Sequence, residues 1–113
     1  MPYSAVPFSC EVVADRDRAI VLVGGELDIA VAPRVAAAVD RLVDIGFTRV
    51  VIDLRELIFL DSAGVHTIES AHRSARRRGC AVSLVRGSAA VQRVLEVTGA
   101  ASLLAFDDER RAA

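Results

Sequence analysis

The hydrophobic positions of the chain fall into short continuous runs separated by longer amphipathic stretches. Three runs are almost uninterrupted, at residues 19–23, 49–54 and 80–85. Each is too short for a helix and is rich in β-branched residues, which predicts strands that are covered on both faces. Residues 7–14 alternate in part and are followed by a polar turn at residues 15–18. They therefore predict an antiparallel hairpin with the first continuous run.

The amphipathic stretches between these runs predict three helices. The first covers roughly residues 33–45, with Pro33 in its first turn and apolar residues on one face. A second is expected over about residues 62–78, and a shorter third over residues 89–98, where Ser88 is the expected N-cap. Glycines 46, 79 and 99 follow these helices at the positions where helices commonly end.

The predicted order is hairpin, helix, strand, helix, strand, helix and a short final strand at residues 103–106. Strands that alternate with helices favour βαβ units and a largely parallel sheet. The 113 residues suit a single α/β domain over residues 1–113, with a mixed sheet and a core at about residues 8–106. Residues 107–113 form a charged tail, which we expect to be frayed.

Composition narrows the function classes. The chain is 53% hydrophobic and 26% charged, with a formal net charge of −1, so it can bury a core and has no basic footprint for nucleic acid. No apolar run approaches the roughly 20 residues of a membrane helix, and the N-terminus lacks a signal-peptide pattern. We therefore expect a cytoplasmic protein with no nucleic-acid partner and no direct insertion into a membrane.

The cysteines and histidines give no sign of a metal or cofactor. Cys10 and Cys80 lack the spacing of metal ligands and are interpreted as buried thiols in a reducing compartment, although a bridge between them stays open. His66 and His72 are six residues apart on one predicted helix and do not share a face. The sequence therefore predicts no metal site and no cofactor.

Two predicted loops after strands carry the candidate chemistry, at residues 24–28 and 59–64. Asp61 and Ser62 stand where the second helix begins, and Asp61 is the preferred N-cap. A phosphate on Ser62 would meet the positive end of the helix and would add a charge of about −1.5 to −2. Asp28 is expected nearby. A simpler interpretation is that Asp61 and Ser62 only cap the helix.

Three motifs, taken together in this order, resemble one family. Residues 51–65 (VIDLRELIFLDSAGV) are similar to a signature made of a buried strand, a "DLS"-like turn, apolar residues and Asp-Ser-(Ser/Thr/Ala)-Gly-(Leu/Val). Residues 25–28 (GELD) and 97–99 (VTG) are similar to two further elements of the same pattern. The chain thus resembles the STAS domain family, of the bacterial anti-sigma factor antagonist type, over about residues 8–106.

The resemblance implies a small mixed sheet with helices packed on one side. It also implies an antagonist that binds an anti-sigma factor with ATP-dependent serine kinase activity and so releases a sigma factor. Phosphorylation of the matching residue, Ser62, would break the complex, and a PP2C-type phosphatase would reset it. No cofactor and no enzymatic activity are implied. The residues expected at the partner surface are Glu26, Asp28, Asp61, Ser62, Ala63, Gly64 and His66.

The chain departs from the family pattern at several positions. Ala63 stands where many members have a second Ser or Thr, Arg55 replaces the frequent Ser of "DLS", and Val65 replaces the commoner Leu. His66 occupies a position often filled by a small residue, and it lies one helical turn after Ser62. It is either a surface histidine or a modulator of the Ser62 site.

Two other functions compete with the switch. In one, the domain is a constitutive STAS scaffold or the accessory subunit of a transport ATPase or signalling assembly, and Ser62 is merely a cap. In the other, Ser62, a histidine and Asp61 form a hydrolase triad. The nucleophile-elbow pattern G-x-S-x-G is missing, and Ser62, His66 and Asp61 come from one turn of one helix. We therefore expect a binding protein rather than an enzyme.

Overall fold

The computed structural model describes residues 6–107 and contains four strands, three α-helices and a short 3₁₀ helix within that range. Each of the three α-helices begins and ends within one residue of its predicted bounds. In chain order the elements are β1 (Ser9–Asp15), β2 (Arg18–Leu27), α1 (Ala32–Ile45), β3 (Arg49–Leu60), α2 (Ser62–Arg77), β4 (Ala81–Val85), α3 (Ala89–Val97) and the 3₁₀ helix Ala100–Ser102.

The strands form one sheet in the order β1-β2-β3-β4. β1 and β2 pair antiparallel as a hairpin, whereas β2–β3 and β3–β4 are parallel. Val21, Ile52 and Leu84 lie in one row across the three parallel strands. The mixed sheet and the α/β class are therefore confirmed.

One face of this sheet carries nearly all of the core. The buried residues of all three helices belong to a single apolar cluster with that face, which confirms that the helices pack on one side. The opposite face has a separate small cluster of Ile20, Val51 and Val85. Because the core is built mainly from aliphatic side chains, it is stabilised by the removal of apolar surface from water. Representative members of the main cluster are Val21, Val35, Ile52, Ile68, Leu84 and Leu95.

Two strands are longer than the pattern predicts. β2 continues through the two glycines to Leu27, so that residues 24–27 belong to a strand rather than to a loop. β3 continues to Leu60 instead of ending at Leu54. Two irregularities explain the error, because β3 has one extra residue opposite Leu22–Gly24 and another opposite Gly25–Glu26. Such bulges break the alternation on which strand prediction rests.

The bulges also change the spacing of buried side chains in β3. Its later buried positions are Leu54, Leu57 and Leu60, which are three residues apart instead of two. All three still reach the main core, since each bulge rotates the strand by one position. The end of β3 is therefore directed at the start of α2.

Gly25 allows the residues just before β1 to lie close against β2. Its φ angle is +79°, and a Cβ built there would lie 2.8 Å from the carbonyl carbon of Pro7 and would also overlap its oxygen. Only glycine fits both the backbone angle and this close approach.

The predicted strand at residues 103–106 is reduced to a single bridge between Phe106 and Leu84. The Leu84 amide donates to Ala105 at 2.8 Å, and the Asp107 amide donates to Leu84 at 2.7 Å. The 3₁₀ helix before it leaves too little extended chain for a ladder. Of the expected charged tail, Asp107 forms an ion pair with Arg18 at 3.4 Å, and residues 108–113 lie outside the described part.

Both cysteines have free thiols. Cys80 is buried, as predicted, whereas Cys10 is only partly buried. Burial raises the pKa of each thiol, and the neighbouring arginines, Arg34 and Arg78 respectively, partly oppose that rise.

Between residues 6 and 107, no helix has the length and apolar character needed to cross a membrane. The same residues include no group of three or more His, Cys, Asp or Glu side chains arranged to hold a metal ion.

We predict that Gly25→Ala lowers the free energy of unfolding by at least about 2 kcal/mol, since it combines backbone strain with overlap on Pro7. Gly79→Ala is the matched control, because Gly79 also has a positive φ but nothing lies within 4 Å of the place that an added Cβ would take. That control should cost only about 1 kcal/mol. Urea denaturation measures both free energies of unfolding. Equal losses for the two variants would contradict the close approach of Pro7 to Gly25.

Candidate functional site

The candidate site forms where β2 and β3 end side by side. Leu27 and Leu60, the last residues of these parallel strands, are register partners. The next residues, Asp28 and Asp61, therefore emerge at the same edge of the sheet. The Asp61 amide donates a hydrogen bond to the Leu27 carbonyl at 3.3 Å, which joins the two turns. The structure thus brings the end of the GELD segment next to the beginning of α2.

Gly64 allows the first turn of α2 to lie against the end of β2. A Cβ at this position would lie 2.6 Å from Leu60 Cδ1, 2.9 Å from the Leu27 carbonyl oxygen and 3.0 Å from Leu27 Cγ. Leu27 and Leu60 are themselves buried in the core, so neither can easily move away. The requirement for glycine here is one of space, and it explains this position of the motif physically.

Asp61 is the N-cap of α2, as predicted. Its Oδ1 accepts a hydrogen bond from the Gly64 amide at 2.8 Å, and its carbonyl accepts from the Val65 amide at 3.0 Å. The carboxylate therefore satisfies one of the free amides of the first turn and lies at the positive end of the helix.

Ser62 is the first residue of α2 and is exposed to solvent. Its hydroxyl makes no hydrogen bond with any side chain or backbone group of residues 6–107. Because Asp61 provides the cap, the fold does not use the Ser62 hydroxyl. The hydroxyl is free to react at the N-terminus of a helix that is 16 residues long.

Asp28 is used in a similar way to Asp61, one strand away. Its carboxylate accepts hydrogen bonds from the amides of Ala30 at 3.0 Å and Val31 at 3.3 Å. Its carbonyl accepts from the Ala32 amide at 2.9 Å. These bonds form the turn that leads into α1, since Val31, the residue at the N-cap of that helix, makes no side-chain cap.

The remaining predicted residues differ in position. Ala63 is half-buried, Gly64 is buried, and His66 is exposed one turn after Ser62. Glu26 lies within β2 next to the inward-facing Leu27, so its side chain is on the face of the sheet opposite the helices. The structure therefore groups Asp28 with residues 61–66, and it separates Glu26 from them.

Sequence reasoning missed a set of exposed apolar side chains around the two turns. Ile29 is 75% exposed, Ile58 51% and Phe59 47%. Each lies within three residues of Asp28 or Asp61. Large apolar side chains that are exposed beside a functional site commonly mark a surface for a partner protein. The signal in the sequence was the apolar residue directly after Asp28 and the apolar run at residues 57–60 directly before Asp61.

The residues of the hydrolase alternative do not form a triad. The Asp61 carboxylate accepts from the Gly64 amide, and in the part of the chain that the structure describes no hydrogen bond links it to His66. His72 is half-buried, and its Nδ1 has no hydrogen-bond partner within residues 6–107.

Comparisons with known proteins point to one family. A family model described as the STAS domain matches residues 10–113. A search of curated proteins found no match.

Solved structures of similar architecture include an anti-sigma factor antagonist from Mycobacterium paratuberculosis, with a TM-score of 0.80 and 22% identity over 90% of this chain and 86% of that one. The anti-sigma factor antagonist SpoIIAA in its unphosphorylated form has a TM-score of 0.73 and 22% identity, over 94% of this chain and 92% of that one. The Bacillus cell fate determinant SpoIIAA in the phosphorylated form has a TM-score of 0.67 and 21% identity, over 94% of this chain and 96% of that one. At these identities the likeness establishes the fold.

We predict that Asp61→Ala lowers the free energy of unfolding by about 1 kcal/mol, because the Gly64 amide loses its acceptor. Ser62→Ala should change it by less than about 0.5 kcal/mol, since the hydroxyl makes no bond that the fold uses. Chemical denaturation of the two variants compares them directly. A larger loss for Ser62→Ala than for Asp61→Ala would mean that Ser62 is the structural cap.

Proposed function

Because the chain belongs to the STAS domain family, we propose that it is an anti-sigma factor antagonist controlled by phosphorylation of Ser62. The unphosphorylated form binds an anti-sigma factor that has serine kinase activity and so releases a sigma factor. Phosphorylation ends the complex. The observation that carries this proposal is the exposed Ser62 hydroxyl at the start of α2, which the fold does not use.

The nature of the proteins with similar solved structures supports this proposal. One is an anti-sigma factor antagonist, and SpoIIAA has been solved in both an unphosphorylated and a phosphorylated form. The phosphoacceptor would be supplied here by Ser62 alone, since Ala63 provides no second hydroxyl.

The physical basis of the switch is a difference in solvation. In the free protein, a phosphate on Ser62 would stay in water and would be stabilised by the positive end of α2. In a complex, the same group would enter an interface that also covers the exposed apolar side chain of Ile29. Burying a doubly charged group against apolar surface is costly unless the partner supplies cations. A partner surface that fits the neutral hydroxyl would therefore release the phosphorylated form.

The acidic turns contribute to the same switch. Asp28 and Asp61 already place two carboxylates at this edge of the sheet, and their positions are fixed by backbone hydrogen bonds. A cationic group of the kinase can pair with them while Ser62 is neutral, and Ala63, Gly64 and His66 complete the surface. The Glu26 side chain lies on the face of the sheet opposite the helices. It therefore joins the proposed contact only if the partner also extends onto that face.

The proposal includes two further elements. A PP2C-type phosphatase would remove the phosphate and restore binding, and the protein would act in the cytoplasm. The alternative of a constitutive scaffold, including an accessory subunit of a transport ATPase, needs no free hydroxyl at Ser62. The capping role of Asp61 favours the switch, because it leaves Ser62 without a structural task.

We expect the cognate anti-sigma factor kinase and ATP to place one phosphate on the protein, and mass spectrometry to locate it on Ser62. Ser102, which is also exposed, is the internal control and should remain unmodified. Phosphate on other residues with Ser62 unmodified would refute the assignment of the acceptor.

We also expect Ser62→Asp to weaken binding to the anti-sigma factor by at least about tenfold, a change of roughly 1.4 kcal/mol. Ser62→Ala should bind at least as well as the unmodified protein, since it cannot be phosphorylated. Calorimetry with Ser102→Asp as a control for added charge separates a local from a general electrostatic effect. Equal affinities for all forms would favour the scaffold.

A further inference from the structure

A second surface lies on the flank of α1 that faces β1. It is an open groove of about 450 Å³ between the edge of the sheet and the helix. Its apolar wall includes Val12, Leu42 and Ile45, and Ala37 and Ala38 leave it wide in the middle. α2 packs on the other flank of α1, where Arg78 meets Asp40 and Asp44. The groove is therefore separated from Ser62 by a whole helix.

The acidic and basic side chains of α1 lie on opposite flanks of the helix. Its acidic side chains Asp40 and Asp44 form ion pairs with Arg78, whereas Arg34 and Arg41 line the groove. Arg41 has no ion-pair partner within residues 6–107, and no acidic side chain lines the groove. The guanidinium of Arg34 lies 4.8 Å from the centre of the Phe8 ring, a contact that leaves its charge uncompensated. The groove is thus apolar with two positive charges.

The strand beside the groove is an edge strand. β1 is the outermost strand of the described sheet, so between residues 6 and 107 nothing pairs with its outer backbone groups. Its residues Val12 and Val13 are each about half exposed. An edge of this kind can accept an additional strand, whose main chain supplies hydrogen bonds while alternate side chains fill neighbouring pockets.

The spacing of the two arginines suits a particular pattern in such a strand. Arg34 and Arg41 are separated by about 10.5 Å along the helix axis, from a rise of about 1.5 Å per residue. Side chains on one face of a strand recur about every 6.6 Å, so positions i and i+4 are about 13 Å apart. The flexible arginine side chains can cover the difference. Position i+2 would then lie against Ala37 and Ala38.

We propose that this groove binds an extended acidic segment of a partner protein, which adds to β1 as a fifth strand. The segment has an acidic residue at positions i and i+4, against Arg34 and Arg41, and an apolar residue at i+2 above the alanines. This goes beyond the proposed switch, since it is a second docking surface that does not include Ser62.

Charge argues against a second copy of this chain as the occupant. Antiparallel pairing of two β1 strands about a twofold axis would continue the sheet, and both α1 helices would lie on the same face. Arg34 and Arg41 of one copy would then face those of the other across the junction. Like charges facing each other disfavour that arrangement, whereas an acidic segment is attracted.

The test uses the full chain and a synthetic peptide with blocked termini. The peptide has aspartate at its second and sixth positions, valine at its fourth, and threonine at the others. NMR titration should shift the amides of residues 9–15 and 34–45 and leave those of residues 61–66 unchanged. Arg41→Gln should weaken binding about fivefold, the effect of losing one exposed ion pair. Arg93→Gln, on the exposed side of α3, should have no effect.

Charge exchange gives a sharper criterion. Arg41→Glu should bind a peptide with lysine at its sixth position better than the original peptide. The proposal is overturned if no peptide binds, if asparagine in place of aspartate binds equally well, or if the shifts centre on α2. Shifts in β1 that depend on protein concentration alone would identify a contact between copies instead, and saturation by dodecanoate without peptide binding would identify a small amphiphile.

Discussion

The first turn of α2 can reach its position only because Gly64 has no side chain. The Leu27 carbonyl and the side chain of Leu60 occupy the space that a Cβ would need. This contact joins the end of β2 to the start of α2, and the bond from the Asp61 amide to Leu27 strengthens the same junction. The site consequently consists of two turns that cannot separate without disturbing the core residues beneath them.

At this junction, two neighbouring residues have different roles. Asp61 satisfies the helix N-terminus, and Ser62 carries a hydroxyl that has no structural partner in the described chain. Asp28 fixes the adjacent turn in the same manner. A group can therefore be added to Ser62 without removing a bond on which the fold depends, which is the property a reversible modification requires. The exposed Ile29, next to Asp28, supplies apolar surface beside the position where that charge would be added.

The sequence pattern predicted the helices and the central strands closely because their apolar residues recur with helical spacing or form continuous runs. It failed at the ends of β2 and β3, where Gly24 and Gly25 suggested a loop and the bulges replaced a spacing of two with a spacing of three. The cap at Asp61 followed from local chemistry. The position of Glu26 did not, because the face on which it lies depends on how far β2 extends.

The junction at Gly64 is tested most directly by the amide NMR spectrum of Gly64→Ala. A methyl group there would have to displace Leu27, so the account predicts shifts that extend from residues 61–66 across to residues 27–31 in the neighbouring turn. Gly79→Ala, whose added methyl group meets nothing within 4 Å, should affect only its own surroundings. If Gly64→Ala perturbs α2 alone and leaves residues 27–31 unchanged, the two turns are not coupled and do not form one site.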